Sequence, residues 1–185
     1  MSKQAFMQVK KLRYDALPLK YAHPGDSGMD VFACALKRID KDNKLHEDDR
    51  DHWIIQPKET VLVCTGWAAS IPEGTELQVR LNSGNGLKTK MRIPNAPGTI
   101  DSGYRGEIGV ILENTGEVPF ILRKNAKVAQ IVLCPVLKAI VREVQELDNT
   151  ERKDAGYGST GVMNEKTNGL TSISQMVEQN FEGIH

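Results

Sequence analysis

The sequence predicts an all-β domain, a sandwich or barrel, and three observations carry that prediction. Short apolar or alternating runs recur along the chain, turn formers bound each of them, and no convincing amphipathic helix separates one from the next. Units of strand, helix and parallel strand are therefore disfavoured. Val61 to Cys64 follows the turn-forming stretch at Pro57, and Leu77 to Arg80 follows Pro72 and Gly74. Ile108 to Leu112 leaves a Gly-rich loop, Phe120 to Leu122 follows Gly116 and Pro119, and Val128 to Leu133 follows Asn125. The last expected strand, Ile140 to Val144, lies beyond Pro135.

A chain of 185 residues is long enough for one domain with a sizeable core and too short for two large ones. The expected organisation is a β domain over residues 1–150, a Gly-rich motif over 151–161 and a tail over 162–185. Residues 37–52, "KRIDKDNKLHEDDRDH", are too charged to bury and balanced in sign, which suits a solvated loop or hairpin insertion. In the tail, Ile173, Met176 and Val177 recur at helical spacing, so either a short docking helix or a frayed end fits. The insertion and the tail are also the only sequence support for an unidentified protein partner.

Lysine plus arginine equals aspartate plus glutamate at 24 each, and this zero balance lacks the basic footprint of a general nucleic-acid binder. Cys34, Cys64 and Cys134 are odd in number and scattered, unlike a zinc site or a disulfide framework, and read as reduced, mostly buried fillers. No apolar run reaches signal-peptide or membrane-span length, so a cytoplasmic protein is expected.

Five polar, Gly-rich segments interrupt the strands: "PGDSGMDV" (24–31), "RLNSGNGLKTK" (80–90), "NAPGTIDSGYRGEIGVILEN" (95–114), "RKNAKVAQ" (123–130) and "ERKDAGYGSTG" (151–161). The second has a P-loop flavour, but Leu87 separates Gly86 from Lys88 and no strand-to-helix context surrounds it. The third is more than a turn. Beside its turn formers it carries Asn95, Asp101, Tyr104 and Glu107, the acid, aromatic face and backbone groups that a binding loop needs.

Together and in this order the five segments resemble the motifs of the trimeric dUTPase family, the dUTP diphosphatases, over most of the chain from about Val9 to Gly161. "GTIDSGYRGE" and "GYGSTG" are the most specific parts. The resemblance implies an antiparallel jelly-roll-like fold, a homotrimer with shared active sites, and Mg²⁺-dependent cleavage of dUTP to dUMP and pyrophosphate. It assigns Asp101 to water activation. Because an ordinary aspartate, with a pKa of about 3.9, is a weak base at neutral pH, orientation should carry much of that effect. Gln130 is implied to order the water network near Asp101, and Asp30 to hold Mg²⁺ through water, which suits a cation that keeps several waters. Ser83 and Gly84 match phosphate donors, a hydroxyl and a backbone N–H.

In the third segment the resemblance assigns the uracil edge to Asn95 and to main chain near Gly98 and Ile100. Tyr104 is to pack under the deoxyribose, where a 2′-hydroxyl would clash. In the last segment Arg152 matches a γ-phosphate ligand, Tyr157 an aromatic that stacks on uracil, and Gly158, Ser159 and Thr160 a phosphate-binding stretch. Stacking of that kind contributes roughly 1 to 3 kcal/mol. The pattern also departs from the family. Asn82 stands where Arg usually precedes the Ser-Gly pair, Arg80 is two residues earlier, and Lys127 stands where Arg is common, which keeps charge without the planar fork. Two other readings share parts of the pattern: a dCTP deaminase of the same fold, for which Glu107 or Glu113 would be the extra acid, and a nucleotide-sensing regulatory protein.

Overall fold

The computed structural model describes residues 5–150 and Asp154. The chain divides into two compact units, Met1–Ala139 and Ile140–His185, and the strands of the described residues all lie in the first. One antiparallel sheet runs β4 (Leu45–Asp48), β3 (Ala35–Ile39), β6 (Thr60–Ser70), β10 (Glu107–Asn114) and β8 (Met91–Arg92), with β1 (Gln8–Lys11) also paired to β6. A second runs β2 (Met29–Phe32), β12 (Lys127–Pro135), β7 (Thr75–Arg80) and β9 (Gly98–Asp101). A third pairs β5 (His52–Ile55) with β11 (Phe120–Arg123). This nearly all-β, antiparallel arrangement is the fold class expected.

Strand periodicity builds the core. In β10 the side chains of Ile108, Val110 and Leu112 alternate inward, and they meet Leu77 and Val79 of β7, Val31 of β2 and Ile131 of β12. Trp53 and Ile55 of β5 and Leu122 of β11 belong to the same core. Each fully buried aliphatic side chain contributes roughly 1.5 to 3 kcal/mol. Two buried polar groups are satisfied: Thr65 Oγ1 donates to the Ile108 carbonyl at 2.7 Å, and Asn114 Nδ2 donates to the carbonyls of Ile55 and Val118 at 3.1 and 2.9 Å. The long β6 changes partner along its length, pairing with β3 at Leu62–Cys64 and with β1 from Trp67 to Ser70. Gly66 sits at the change with φ +80°, and a Cβ there would lie 2.5 Å from Ala16 Cβ.

The charged stretch 37–52 forms most of the β3–β4 hairpin. Asp40 shapes its turn by accepting the Asp42 and Lys44 N–H groups at 2.8 and 2.9 Å, and Asn43 adopts φ +59°. Arg38 bridges Asp48 and Glu59.

Two local expectations need correction. Ile140–Val144 forms no strand: Ile140 is 97% exposed, and no ladder pairs with the run among the described residues. An apolar pattern makes a strand only where a neighbouring backbone offers donors and acceptors. Contrary to expectation, the second segment does have a strand-to-helix context: β7 leads into a short helix, α1 (Ser83–Lys88), begun by the extended Asn82 and closed by the Thr89 N–H and Oγ1 on the Asn85 carbonyl. The third segment joins two sheets. β9 pairs with β7 while β10 pairs with β6 and β8, so Ser102–Gly106 carries the chain from one sheet to the other.

Candidate active site

The crossover creates a cleft of about 250 Å³ between the sheets. Asn95, Gly98, Ile100, Asp101 and Tyr104 line one side, with Leu62, Gly109 and Ile111 opposite. The turn into β9 contains a cis Ala96–Pro97 peptide. Gly98 lets Asn95 approach the strand: a Cβ at Gly98 would lie 3.2 Å from Asn95 Nδ2 and 3.3 Å from Val79 Cβ. Asp101 ends β9 with an exposed side chain, and its carbonyl accepts the Tyr104 N–H at 3.0 Å. Tyr104 folds back over Gly106 and remains 48% exposed, its hydroxyl donating to the Glu107 carbonyl at 3.1 Å. The Arg105 guanidinium closes the turn on the Ser102 carbonyl at 2.7 Å.

Glu107 is already engaged. Its carboxylate accepts Arg13 Nε at 3.0 Å and the Gly66 N–H at 2.8 Å, which commits it to structure. The acid that a deaminase reading would use at this position is thus occupied.

A second cluster unites the first, second and fourth segments. Asp30, Gln130 and Arg80 are cross-strand neighbours in one row over β2, β12 and β7. Lys127 ties the row to α1: its Nζ lies 2.6 Å from Asp30 Oδ2, and its carbonyl accepts Asn85 Nδ2 at 2.9 Å. Ser83 and Gly84 stand in the first turn of α1. Gly28 is packed against this row, since a Cβ there would lie 2.4 Å from Gln130 Oε1. Asn82 buries Oδ1 with no hydrogen-bond partner among the described residues. Arg80 does not replace the missing guanidinium beside Ser83, because its Nε turns back along the strand to Gln78 Oε1 at 3.0 Å.

Register separates the two clusters. Gln130 pairs with Asp30 and Arg80, whereas Asp101 pairs with Glu76, which pairs with Cys134, four residues further along β12. Three strand spacings of about 4.8 Å and four residues of about 3.4 Å put Asp30 and Asp101 of one chain roughly 20 Å apart. One chain therefore presents two separate clusters. Arg152, Tyr157, Gly158, Ser159 and Thr160 lie outside the described residues, as do the expected tail elements over 162–185.

Sequence reasoning missed the contacts that hold these groups. The Lys127–Asp30 ion pair, the Gly28–Gln130 contact and the bonds from Arg13 to Glu107 join residues distant in the chain. Their only sequence signal was a basic residue in the fourth segment and a glycine in the first. The cysteines are free thiols, Cys34 and Cys64 buried and Cys134 partly so. Burial pushes Cys34 up to about 11 and Cys64 to about 12, far from the reactive thiolate range. No helix of the described residues is long and apolar enough to cross a membrane.

Residues 49–161 match the dUTPase family model. The deoxyuridine 5'-triphosphate nucleotidohydrolase of Alkaliphilus metalliredigens is 44% identical over 156 residues, covering 84% of this chain and 97% of the relative. That of Hydrogenobaculum sp. is 47% identical over 154 residues, covering 83% and 96%. Among solved structures, a dUTPase of Staphylococcus bacteriophage 80alpha with dUpNHpp superposes with a TM-score of 0.72 at 25% identity, covering 85% of this chain and 99% of that one. The dUTPase from phage phi11 of S. aureus, described with a structural Mg(II) ion, shares the fold at a TM-score of 0.64 and 22% identity, over 78% of this chain and 99% of that one. With a family match over most of the chain, and relatives of that identity aligned nearly end to end, the chain belongs to the dUTPase family and is a dUTP diphosphatase.

Proposed function

We propose that this chain cleaves dUTP to dUMP and pyrophosphate by attack of an Asp101-oriented water on the α-phosphate, in sites shared between subunits of a homotrimer. Asp101 carries the reading, as an exposed carboxylate in a cleft that also holds Asn95, Gly98 and Tyr104. The cleft suits a base read by the Asn95 amide and main chain near Gly98 and Ile100, with the deoxyribose over Tyr104. Water forms the new P–O bond, the bond from the α-phosphorus to the bridging oxygen breaks, and Asp101 takes the proton while pyrophosphate departs.

Ser83 and Gly84 offer a hydroxyl and backbone N–H groups of the first turn of α1 to phosphate oxygens, and Lys127 adds charge beside them. Gln130, in register with Asp30, is placed to order water near the phosphates. The roughly 20 Å between Asp30 and Asp101 in one chain supports a composite site, with this row from one subunit and the cleft from another. Arg152, Tyr157, Gly158, Ser159 and Thr160 complete the proposal as a phosphate- and base-binding segment.

Among the described residues no cluster of three acid, His or Cys side chains could hold a metal alone. Asp30 is one carboxylate whose Oδ2 is paired with Lys127, so a Mg²⁺ ion fits if the substrate's phosphates and water supply its other oxygens. Bound there, Mg²⁺ would neutralise phosphate charge. Such an enzyme limits uracil in DNA and supplies dUMP for dTMP synthesis, and the free thiols suit a cytoplasmic setting.

The test is pyrophosphate and ammonia release from dUTP, dCTP, dTTP and UTP, with Mg²⁺ and with chelator. Pyrophosphate from dUTP alone, lost with chelator, is expected. Ammonia from dCTP would shift the assignment to deamination, and dUTP binding without turnover would leave only a sensing role.

A further inference from the structure

Arg13 follows β1 and lies between two carboxylates that are far from it in sequence. Its Nη1 and Nη2 bind Glu47 Oε1 and Oε2 at 2.7 Å each, a two-pronged pairing with the charged β3–β4 hairpin. Its Nε and Nη2 bind Glu107 Oε1 and Oε2 at 3.0 and 3.3 Å. Lys37 Nζ holds Glu47 from the hairpin side at 3.4 Å. Glu107 in turn accepts the Tyr104 hydroxyl on its main-chain carbonyl. A chain of direct contacts thus runs from the hairpin to the cleft.

The register explains why this chain matters. β10 opposes Ala68 at Glu107 but Cys64 at Gly109, so the ladder is irregular where β10 begins. Regular strand pairing leaves the place of Glu107 underdetermined there, and its carboxylate, held by Arg13 and the Gly66 N–H, supplies the constraint. The Tyr104 hydroxyl is bonded to the same residue's backbone.

We propose that Glu47 and Arg13 are positioning residues for Tyr104, so that the charged hairpin helps to set the enzyme's preference for a deoxyribonucleotide. This rests on Tyr104 as the sugar platform. Contacting residues of this kind couple strongly enough to change a ratio several-fold. Glu47→Gln is expected to raise KM for dUTP with kcat within about twofold, and to lower the ratio of kcat/KM for dUTP over UTP by roughly three- to tenfold. Arg13→Met should do more, and Arg13→Lys should fall between, because an ammonium lacks the planar fork.

A merely structural role is excluded by a double-mutant cycle. Tyr104→Phe removes the hydroxyl, and in that background Glu47→Gln should change the ratio no further. Glu47 is partly exposed, so its variant stays measurable even if Arg13→Met fails to fold. An unchanged ratio in folded Glu47→Gln overturns the proposal, and so does an effect of Glu47→Gln that persists undiminished in Tyr104→Phe. If the wild type itself shows no preference for dUTP over UTP, the sugar assignment of Tyr104 fails and the relay falls with it. A wild-type preference that Glu47→Gln does not move sinks the relay alone.

Discussion

Gly106→Ala would separate the placement of Tyr104 from the stability of the fold. A Cβ at Gly106 would lie 2.2 Å from the Tyr104 hydroxyl oxygen, 2.4 Å from Cζ and 2.9 Å from Cε2. These atoms belong to one rigid ring, so a shift of a few tenths of an ångström cannot relieve the overlap and the whole side chain must rotate away. Rotation breaks the bond from the hydroxyl to the Glu107 carbonyl. A hydrogen bond of this sort contributes about 0.5 to 1.5 kcal/mol, and the ring is already half-exposed, so the expected stability loss is about 1 kcal/mol. Sugar discrimination should suffer more, because the platform itself has moved: a three- to tenfold or greater fall in the dUTP-over-UTP ratio corresponds to about 0.7 to 1.4 kcal/mol. Gly103→Ala is the matched control, since a Cβ there meets nothing within 4 Å. The assay is steady-state hydrolysis of both nucleotides beside thermal unfolding of the three proteins. Wild-type discrimination in Gly106→Ala, or an equal loss in Gly103→Ala, would refute the reasoning.

Asp101→Asn should lower turnover by about 10² to 10⁴ while nucleotide binding, read by calorimetry, stays largely intact; near-normal turnover would remove Asp101 from the mechanism. Truncation before Gly156 should impair hydrolysis without changing thermal unfolding of the β sheets, and loss of the trimer instead would make that segment structural. Acid should unclamp the hairpin. The Arg13 guanidinium holds Glu47 below the usual carboxylate range, and Lys124 does the same to Asp15. A lowered folded pKa gives stability that is fully present above the unfolded value, about 4, and is lost as pH falls through the folded value. The difference in Tm between wild type and Glu47→Gln should therefore be constant above about pH 5 and shrink below about pH 4; a gap that stays constant down to about pH 2 would show that it does not come from the ionised Glu47 carboxylate.

Much of the molecule was legible in one dimension, for a physical reason that particular residues display. Ile108, Val110 and Leu112 declare a buried face through their spacing, and Pro and Gly mark where strands end. Asn95, Asp101 and Tyr104 could be picked out together because they fall within ten residues of one another, and the structure places all three around one cleft. The charged stretch 37–52 is mostly exposed, and it pairs as a hairpin at the sheet edge.

What the sequence determined by itself was therefore the fold class, the family motifs and the local chemistry of each loop, all set by interactions within a few residues. Tertiary structure alone decided how those loops combine. Register put Asp30, Gln130 and Arg80 in one row and left Asp101 far from it, sent β9 and β10 to different sheets, and gave Ile140–Val144 no partner strand among the described residues. It also joined Arg13 to Glu47 and Glu107, 34 and 94 residues away. Such pairings depend on which distant strands meet and in what alignment, and a local pattern of side chains carries no record of that choice.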